Sequence, residues 1–320
     1  MSWLVTGGAG YIGSHVVRAL RSAGIDTVAF DDLSSGFRAF VPDDVPFVEG
    51  TILDGELVAR TLREHEVTGV VHVVGFKYAG VSVERPLHTY EQNVTGMATL
   101  LRAMAETGVT KAVFSSSAAV YGTPDVETVV ESTPKNPESP YGESKLIGEW
   151  LLRDMEVAAG FATTSLRYFN VVGSGSPTCT TPARTTCSRW SSTRCSPAGP
   201  RGSTATTTPP RTAPVSATTC TWPTWRTRTP WPHGSSRPGS RSERAYNLGS
   251  GDGVSVRQIM DAMAAGTGIA FDPEIAPRRP GDPARIVATG EAAARDLEWA
   301  MRHSLDEMVS SAWEARRSAS

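Results

Sequence analysis

Residues 6–13 read Thr6-Gly7-Gly8-Ala9-Gly10-Tyr11-Ile12-Gly13, directly after the apolar run Trp3–Thr6. Glycine at 7, 10 and 13 lets the backbone turn tightly and approach a pyrophosphate, whose charge the N-terminus of the following helix stabilises. By itself such a triplet also suits a tight turn in any α/β protein. The next strand narrows the reading, because it ends at Asp31, 18 residues past Gly13, where a carboxylate can bind both hydroxyls of a dinucleotide ribose. An aspartate there is also a common turn residue. With Asp32 beside it and no arginine before Arg38, a 2′-phosphate would be repelled, so the pattern favours NAD over NADP.

Outward from the loop, strand-length apolar runs alternate with helix-period stretches. Trp3–Thr6, Thr27–Phe30, Val70–Val74, Lys111–Ser115 and Thr163–Arg167 read as strands. Ser14–Ala23, Met97–Glu106 and Ser144–Ala159 read as helices, with Gly108 and Gly160 as stops. This βαβ rhythm predicts an α/β fold, a doubly wound parallel Rossmann-type sheet with a smaller C-terminal lobe. The lobe begins again at Ala245, with a capped helix from Ser255 through Ala264 and a closing helix near Ser304–Arg316.

Composition breaks between these parts. Net charge is −2, yet Pro177–Ser242 holds 9 of the 31 Lys+Arg and none of the 33 Asp+Glu, which leaves −11 for the remainder. That acidity argues against a nucleic-acid partner. All four cysteines (Cys179, Cys187, Cys195, Cys220) lie in the same window, so neither a disulfide framework nor a metal site is indicated. The N-terminus enters the glycine loop without a basic n-region, and no 18-residue apolar run occurs. The expectation is a soluble cytoplasmic protein with no membrane partner.

Tyr141-Gly142-Glu143-Ser144-Lys145 sets a phenol and an ammonium four residues apart at a helix start, hence on one face. As a base, the phenol (pKa ~10) must be lowered by about 3 units, roughly 4 kcal/mol, which Lys145 and a cationic nicotinamide can supply. An isolated Tyr-x-x-x-Lys is also an ordinary surface pair. Before it stands Phe114-Ser115-Ser116-Ser117-Ala118-Ala119-Val120-Tyr121-Gly122 at a strand end. There the Ser117 hydroxyl can relay a proton to Tyr141, or merely satisfy a strand-to-loop backbone.

Together these elements resemble the extended short-chain dehydrogenase/reductase family, and the finer text resembles its UDP-glucose 4-epimerase branch. Nucleotide-sugar dehydratases of the family carry an Asp-Glu pair after the serine or threonine, where this chain has Ala118 and Ala119. Gly75-Phe76-Lys77 with Ser82-Val83-Glu84-Arg85-Pro86-Leu87, Arg167-Tyr168-Phe169-Asn170, Tyr246-Asn247-Leu248-Gly249-Ser250-Gly251 and Arg278-Arg279-Pro280-Gly281-Asp282 are similar to epimerase motifs. The resemblance implies Ser117, Tyr141 and Lys145 as catalytic residues. It implies Gly7, Gly10, Tyr11, Ile12, Gly13, Asp31, Asp32, Ile52, Lys77, Lys145 and Phe169 around NAD. For a UDP-sugar substrate it implies Ser117, Tyr141, Asn170, Arg279 and Asp282, and it implies a homodimer through the helices near Met97–Glu106 and Ser144–Ala159. Three departures stand out: Thr51, Gln92 and Ala119 occupy places where the family usually has Asp, Asn, and Thr or Ser.

The stretch 176–243 between the domain 1–175 and the lobe 244–320 reads as the same gene out of frame, low in complexity and expected to be disordered. A real Thr/Pro-rich insert is the competing reading. One nucleotide lost near Pro177 and the frame restored near Glu243 explain the sharp border. Rebuilding each codon from the last base of the preceding one, Thr212–Arg226 is compatible with Asp-Gly-Thr-Cys-Val-Arg-Asp-Tyr-Leu-His-Val-Ala-Asp-Leu-Ala, which resembles epimerase text carrying a diphosphate-binding arginine.

Overall fold

In the computed structural model, which describes residues 1–174, 214–215, 217–218, 245–269 and 285–318, the apolar runs become adjacent parallel strands. β1 (Ser2–Thr6) is buried after its first residue, as a strand covered on both faces must be. In chain order follow α1 (Tyr11–Ser22), β2 (Asp26–Asp31), β3 (Phe47–Glu49), α2 (Gly55–Glu64), β4 (Val67–His72), α3 (Ala79–Glu84), α4 (Pro86–Tyr90), α5 (Gly96–Thr107), β5 (Lys111–Ser117), α6 (Pro140–Ala159) and β6 (Ala162–Tyr168). Beyond them lie β7 (Asn170–Val171), β8 (Pro214–Val215), β9 (Ala217–Thr218), β10 (Ala245–Leu248), β11 (Val254–Ser255), α7 (Val256–Thr267), α8 (Glu291–Leu297) and α9 (Leu305–Ser318).

Among the described residues seven strands form one sheet in the order β10-β6-β5-β4-β1-β2-β3, with every pair parallel. The chain leaves β1 toward β2 and β3, then returns to β4 on the other side. That reversal opens a crevice at the carboxyl ends of β1 and β4, where doubly wound sheets bind ligands. Side chains alternate between two cores. Leu4, Val28, Phe30, Val70 and Phe114 meet α2, α5 and α6 through Leu62, Met104 and Leu152. Val5, Ala29, Val71 and Val113 meet α1 through Val16 and Val17, and α8 through Ala292 and Ala293.

Elements with no counterpart in the sequence reading include β3, α2, α3, α4 and α8; β3 has only three residues, too few to display a period of two. α1 begins at Tyr11, three residues before the predicted Ser14, and α6 begins at Pro140 with Ser139 as its N-cap. Gly108 and Gly160 end α5 and α6 in the left-handed conformation, and Ser255 starts α7 with a capping box to Gln258. Ala245–Leu248, grouped with the C-terminal lobe by sequence, adds the edge strand β10 to the main sheet, while α7 packs on α9. The stretch 176–243, expected from sequence to be out of frame and disordered, lies outside the described residues apart from the short pairings of β8 with β11 and β9 with β7. Among the described residues no helix is long and apolar enough to cross a membrane.

Candidate active site

The glycine loop is built by close approach. Gly7 and Gly8 donate to the Phe30 carbonyl at 2.7 and 3.2 Å, and Gly10 donates to the Gly7 carbonyl at 3.0 Å. A Cβ on Gly13 would stand 1.9 Å from the Gly7 oxygen, and one on Gly7, at φ +72, would stand 2.8 Å from the Val74 nitrogen. A Cβ on Gly10 would touch only the Gly7 oxygen, at 3.2 Å. The loop is thus closed toward the protein and open outward at Gly10, above the start of α1.

Asp31 ends β2 buried beside this loop. Its Oδ2 accepts from the Ala9 amide at 3.0 Å and its Oδ1 from the Leu33 amide at 2.9 Å. Burial lifts its pKa above the ordinary carboxylate value, against the amides of Leu33, Ala9 and Gly10. Each oxygen keeps a lone pair for a ribose hydroxyl. Asp32 instead accepts from the Ser34 amide at 2.9 Å and caps its own turn. Tyr11 and Ile12 turn their side chains inward, Tyr11 donating to the Gly173 carbonyl and Ile12 packing on the core. Ile52 is 2% exposed and lies under Gly96 of α5. The buried Tyr11 and Ile52 therefore have mainly main chain to offer a cofactor, while Ile12 stays partly exposed. Lys77 is exposed, close enough to Asp31 to feel its charge.

Ser117 ends β5, and its Oγ accepts from the Ala119 amide at 3.2 Å. Its hydroxyl lies close enough to that of Tyr141 to favour the phenolate, so tertiary structure joins two groups that are 24 positions apart in sequence. Burial pushes the Tyr141 phenol above its ordinary value, and the Ser117 bond opposes that rise. The expected depression is therefore not a property of the protein groups alone: the Lys145 ammonium is 5.9 Å from the Tyr141 ring centre and donates to the Ser115 carbonyl at 2.8 Å. Desolvation brings Lys145 down to about 8. Phe169 packs on the cluster of Val120, Tyr121, Val129, Leu146 and Ala288, and Asn170 is exposed in β7. Arg279 and Asp282 lie outside the described residues.

Four residues of this region were given no site role by sequence. Asn93, next to the noted Gln92, accepts from the Phe76 amide at 2.7 Å and donates to Ser144 at 2.8 Å, clamping the 75–77 loop to α6. Ser82 accepts from the Tyr141 amide at 3.1 Å. His72, brought down to about 3 by burial with Lys145 nearby, is hydrogen-bonded to Thr6 at 2.9 Å. Glu149 accepts from Ser116 at 2.6 Å; it follows Lys145 by the same four residues that separate Lys145 from Tyr141, a signal that was available.

A cradle of glycine backbone, a carboxylate at the end of β2 and a Ser-Tyr-Lys constellation at the crevice thus come together. The sequence profile of the NAD dependent epimerase/dehydratase family matches residues 3–190. The chain belongs to that family. Members similar to it include the UDP-glucose 4-epimerases of Azospirillum brasilense, 38% identical over 97% of this chain and 91% of that protein, and of Corynebacterium glutamicum, 35% identical over 98% and 95%. The crystal structure of the Bifidobacterium longum UDP-glucose 4-epimerase with NAD+ and UDP superposes with a TM-score of 0.84 at 29% identity, covering 99% of this chain and 98% of that one. The Thermus thermophilus enzyme with NAD gives 0.83 at 30%, covering 99% of each. The family's dinucleotide fits this chain: Gly10 leaves room where Gly7 and Gly13 leave none, and Asp31 lies within reach of the same loop.

Proposed function

We propose that this chain is built to interconvert UDP-glucose and UDP-galactose as an NAD-dependent 4-epimerase. The observation that carries this reading is the Ser117–Tyr141 hydroxyl pair followed by Ala118 and Ala119. One hydroxyl relay with no acid-base pair behind it suits a reaction that removes and returns a single proton and hydride, and does not suit elimination of water. The similar UDP-glucose 4-epimerases support the choice of substrate.

NAD, when bound, supplies the hydride acceptor for C4 of the sugar and the donor for its return. Tyr141 Oη takes the proton from the sugar O4, and Ser117 Oγ bridges the two oxygens. Because burial holds the phenol protonated, positive charge close to Tyr141 is needed to release its proton. Lys145, fixed on the Ser115 carbonyl, is placed to hold the nicotinamide ribose and contributes charge from the same helix face. Gly7, Gly10 and Gly13 receive the pyrophosphate, Asp31 the adenosine ribose, and Lys77 and Phe169 border the crevice. Asn170, Arg279 and Asp282 are assigned to the UDP-sugar. A cytoplasmic homodimer belongs to the same reading, with a second copy covering α6, where Trp150 and Val157 are exposed.

The composition of Pro177–Ser242, without one acidic residue, supports a second statement: the polypeptide as written keeps its NAD-binding elements and has an impaired substrate lobe. Two compensating base errors or decay of the gene would each produce it, and resequencing the codons for residues 175–245 separates them. The test of function is an assay with UDP-galactose on this chain beside the frame-restored protein. Turnover by the restored protein is expected. Bound NAD with no epimerisation of any UDP-hexose by it would overturn the assignment.

A further inference from the structure

Tyr141, Lys145 and Glu149 occupy one face of α6 at four-residue intervals, and each engages a different one of three consecutive β5 residues. Tyr141 lies against Ser117, which favours its phenolate, Lys145 donates to the Ser115 carbonyl at 2.8 Å, and Glu149 accepts from the Ser116 hydroxyl at 2.6 Å. The first two contacts belong to the chemistry already described. The third joins a buried network. Glu149 pairs with Arg167 of β6 through Nε at 2.9 Å and Nη2 at 2.7 Å, with side chains 9% and 4% exposed. Arg167 also donates to Tyr121 Oη at 2.6 Å, and Tyr121 donates to Asn247 of β10 at 2.8 Å.

The position of this network gives it leverage on the reacting hydroxyls. Tyr121 closes the turn Ala118–Tyr121 that begins directly after Ser117, and Arg167 lies opposite Ser116 and Asn247 in register. Glu149 therefore fixes the slide and rotation of α6 on β5, while Tyr121 fixes the turn that presents Ser117. A bidentate carboxylate–guanidinium pair supplies the geometric rigidity this requires. A buried pair of this kind costs desolvation and is weak evidence for stability alone, which leaves positioning as a reason to keep it.

We propose that Glu149, held by Arg167, is a positioning residue that sets the Tyr141–Ser117 hydrogen bond. The proposal rests on the epimerase reading for its kinetic consequence but not for its structural one. Ser116→Ala removes the contact between Glu149 and β5 while leaving the Glu149–Arg167 pair intact, so it should fold. Glu149→Gln combined with Arg167→Met removes the pair without stranding a buried charge.

The primary measurement is ultraviolet titration of tyrosinate in the full chain, with Tyr141→Phe subtracted in each background to isolate Tyr141. In both variants the Tyr141 titration should move to higher pH, because a loosened Ser117 bond no longer opposes burial. Glu156→Gln, on the same helix, should leave it in place. Tyr141 titrating as in the parent in both variants would overturn the proposal, whatever the activity. In the frame-restored protein kcat should fall about tenfold with KM within about twofold, the pattern of misplacement without lost ground-state binding. Absence of turnover in the restored parent would sink the epimerase reading and leave the titration result standing.

Discussion

The Lys145 ammonium donates to the Ser115 carbonyl oxygen at 2.8 Å and is 4.9 Å from the centre of the Phe114 ring, so a charged group is fixed by one main-chain acceptor inside a desolvated wall. Folding brings its pKa from 10.5 down to about 8. Between those values the unfolded chain binds a proton that the folded chain has released, so stability rises with pH there. Relative to Lys145→Met, the parent should gain up to about 3 kcal/mol as pH climbs from about 8 to about 10.5, taking ~1.4 kcal/mol per unit. Urea melts of both proteins across that range measure the difference, and parallel curves would contradict it.

Tyr141→Phe removes the group proposed to accept the sugar proton, and Ser117→Ala removes the proposed bridge to it. Loss of a general base typically costs about 10²- to 10⁴-fold, so kcat of the frame-restored Tyr141→Phe should fall by at least about a hundredfold with bound NAD retained. Turnover within tenfold of the parent would remove Tyr141 from its role. Ser117→Ala should lose less, and its Tyr141 should titrate higher because the hydrogen bond opposing burial is gone.

Gly13→Ala tests the cradle. With the new Cβ at 1.9 Å from the Gly7 oxygen, the loop must shift, at a strain of about 1–3 kcal/mol. Isothermal titration with NAD should show affinity reduced by tenfold or more, with a lowered melting temperature. Wild-type affinity would mean that the loop does not approach the pyrophosphate.

Asp31→Asn puts an amide NH₂ against one of the backbone amides that now donate to the carboxylate at 3.0 and 2.9 Å, and it removes the charge offered to the ribose. Charge-assisted hydrogen bonds contribute about 1.5–3 kcal/mol, so NAD affinity should fall by roughly ten- to a hundredfold. NADP, no longer repelled by Asp31, should lose less. Because burial raises the Asp31 pKa, NAD binding to the parent should weaken on acidification at a higher pH than an ordinary carboxylate would dictate. Unchanged NAD:NADP preference in the variant would assign discrimination elsewhere.

Arg167→Met leaves Glu149 buried without its partner and should destabilise the fold by about 3–5 kcal/mol, while the double variant with Glu149→Gln should recover most of that loss. Denaturant midpoints of the parent, single and double variants form the cycle. Equal losses in single and double variants would show that the pair contributes through packing rather than charge.

The sheet was legible where burial on both faces makes a run apolar, as in Trp3–Val5 of β1 and Ala112–Phe114 of β5, and the helix stops were legible because Gly108 and Gly160 mark chain reversal. β3 was illegible because three residues carry no period. At the candidate site, chemical type marked Ser117, Tyr141, Lys145 and Asp31 as candidates, since few side chains can perform the tasks proposed for them. Asn93, Ser82 and Glu149 are of common types whose importance lies in what they touch.

By itself the sequence determined the cradle, the carboxylate after the second strand, the Tyr-x-x-x-Lys spacing and the compositional break at Pro177–Ser242, because each is a local pattern of residue type. Only the tertiary structure decided that Ser117 meets Tyr141, that Lys145 faces Ser115, and that Ala245–Leu248 pairs with β6 beyond the break. Those relationships depend on strand order and on the rotation of α6 against β5. Both are set by long-range packing and hydrogen bonding, which no local pattern encodes.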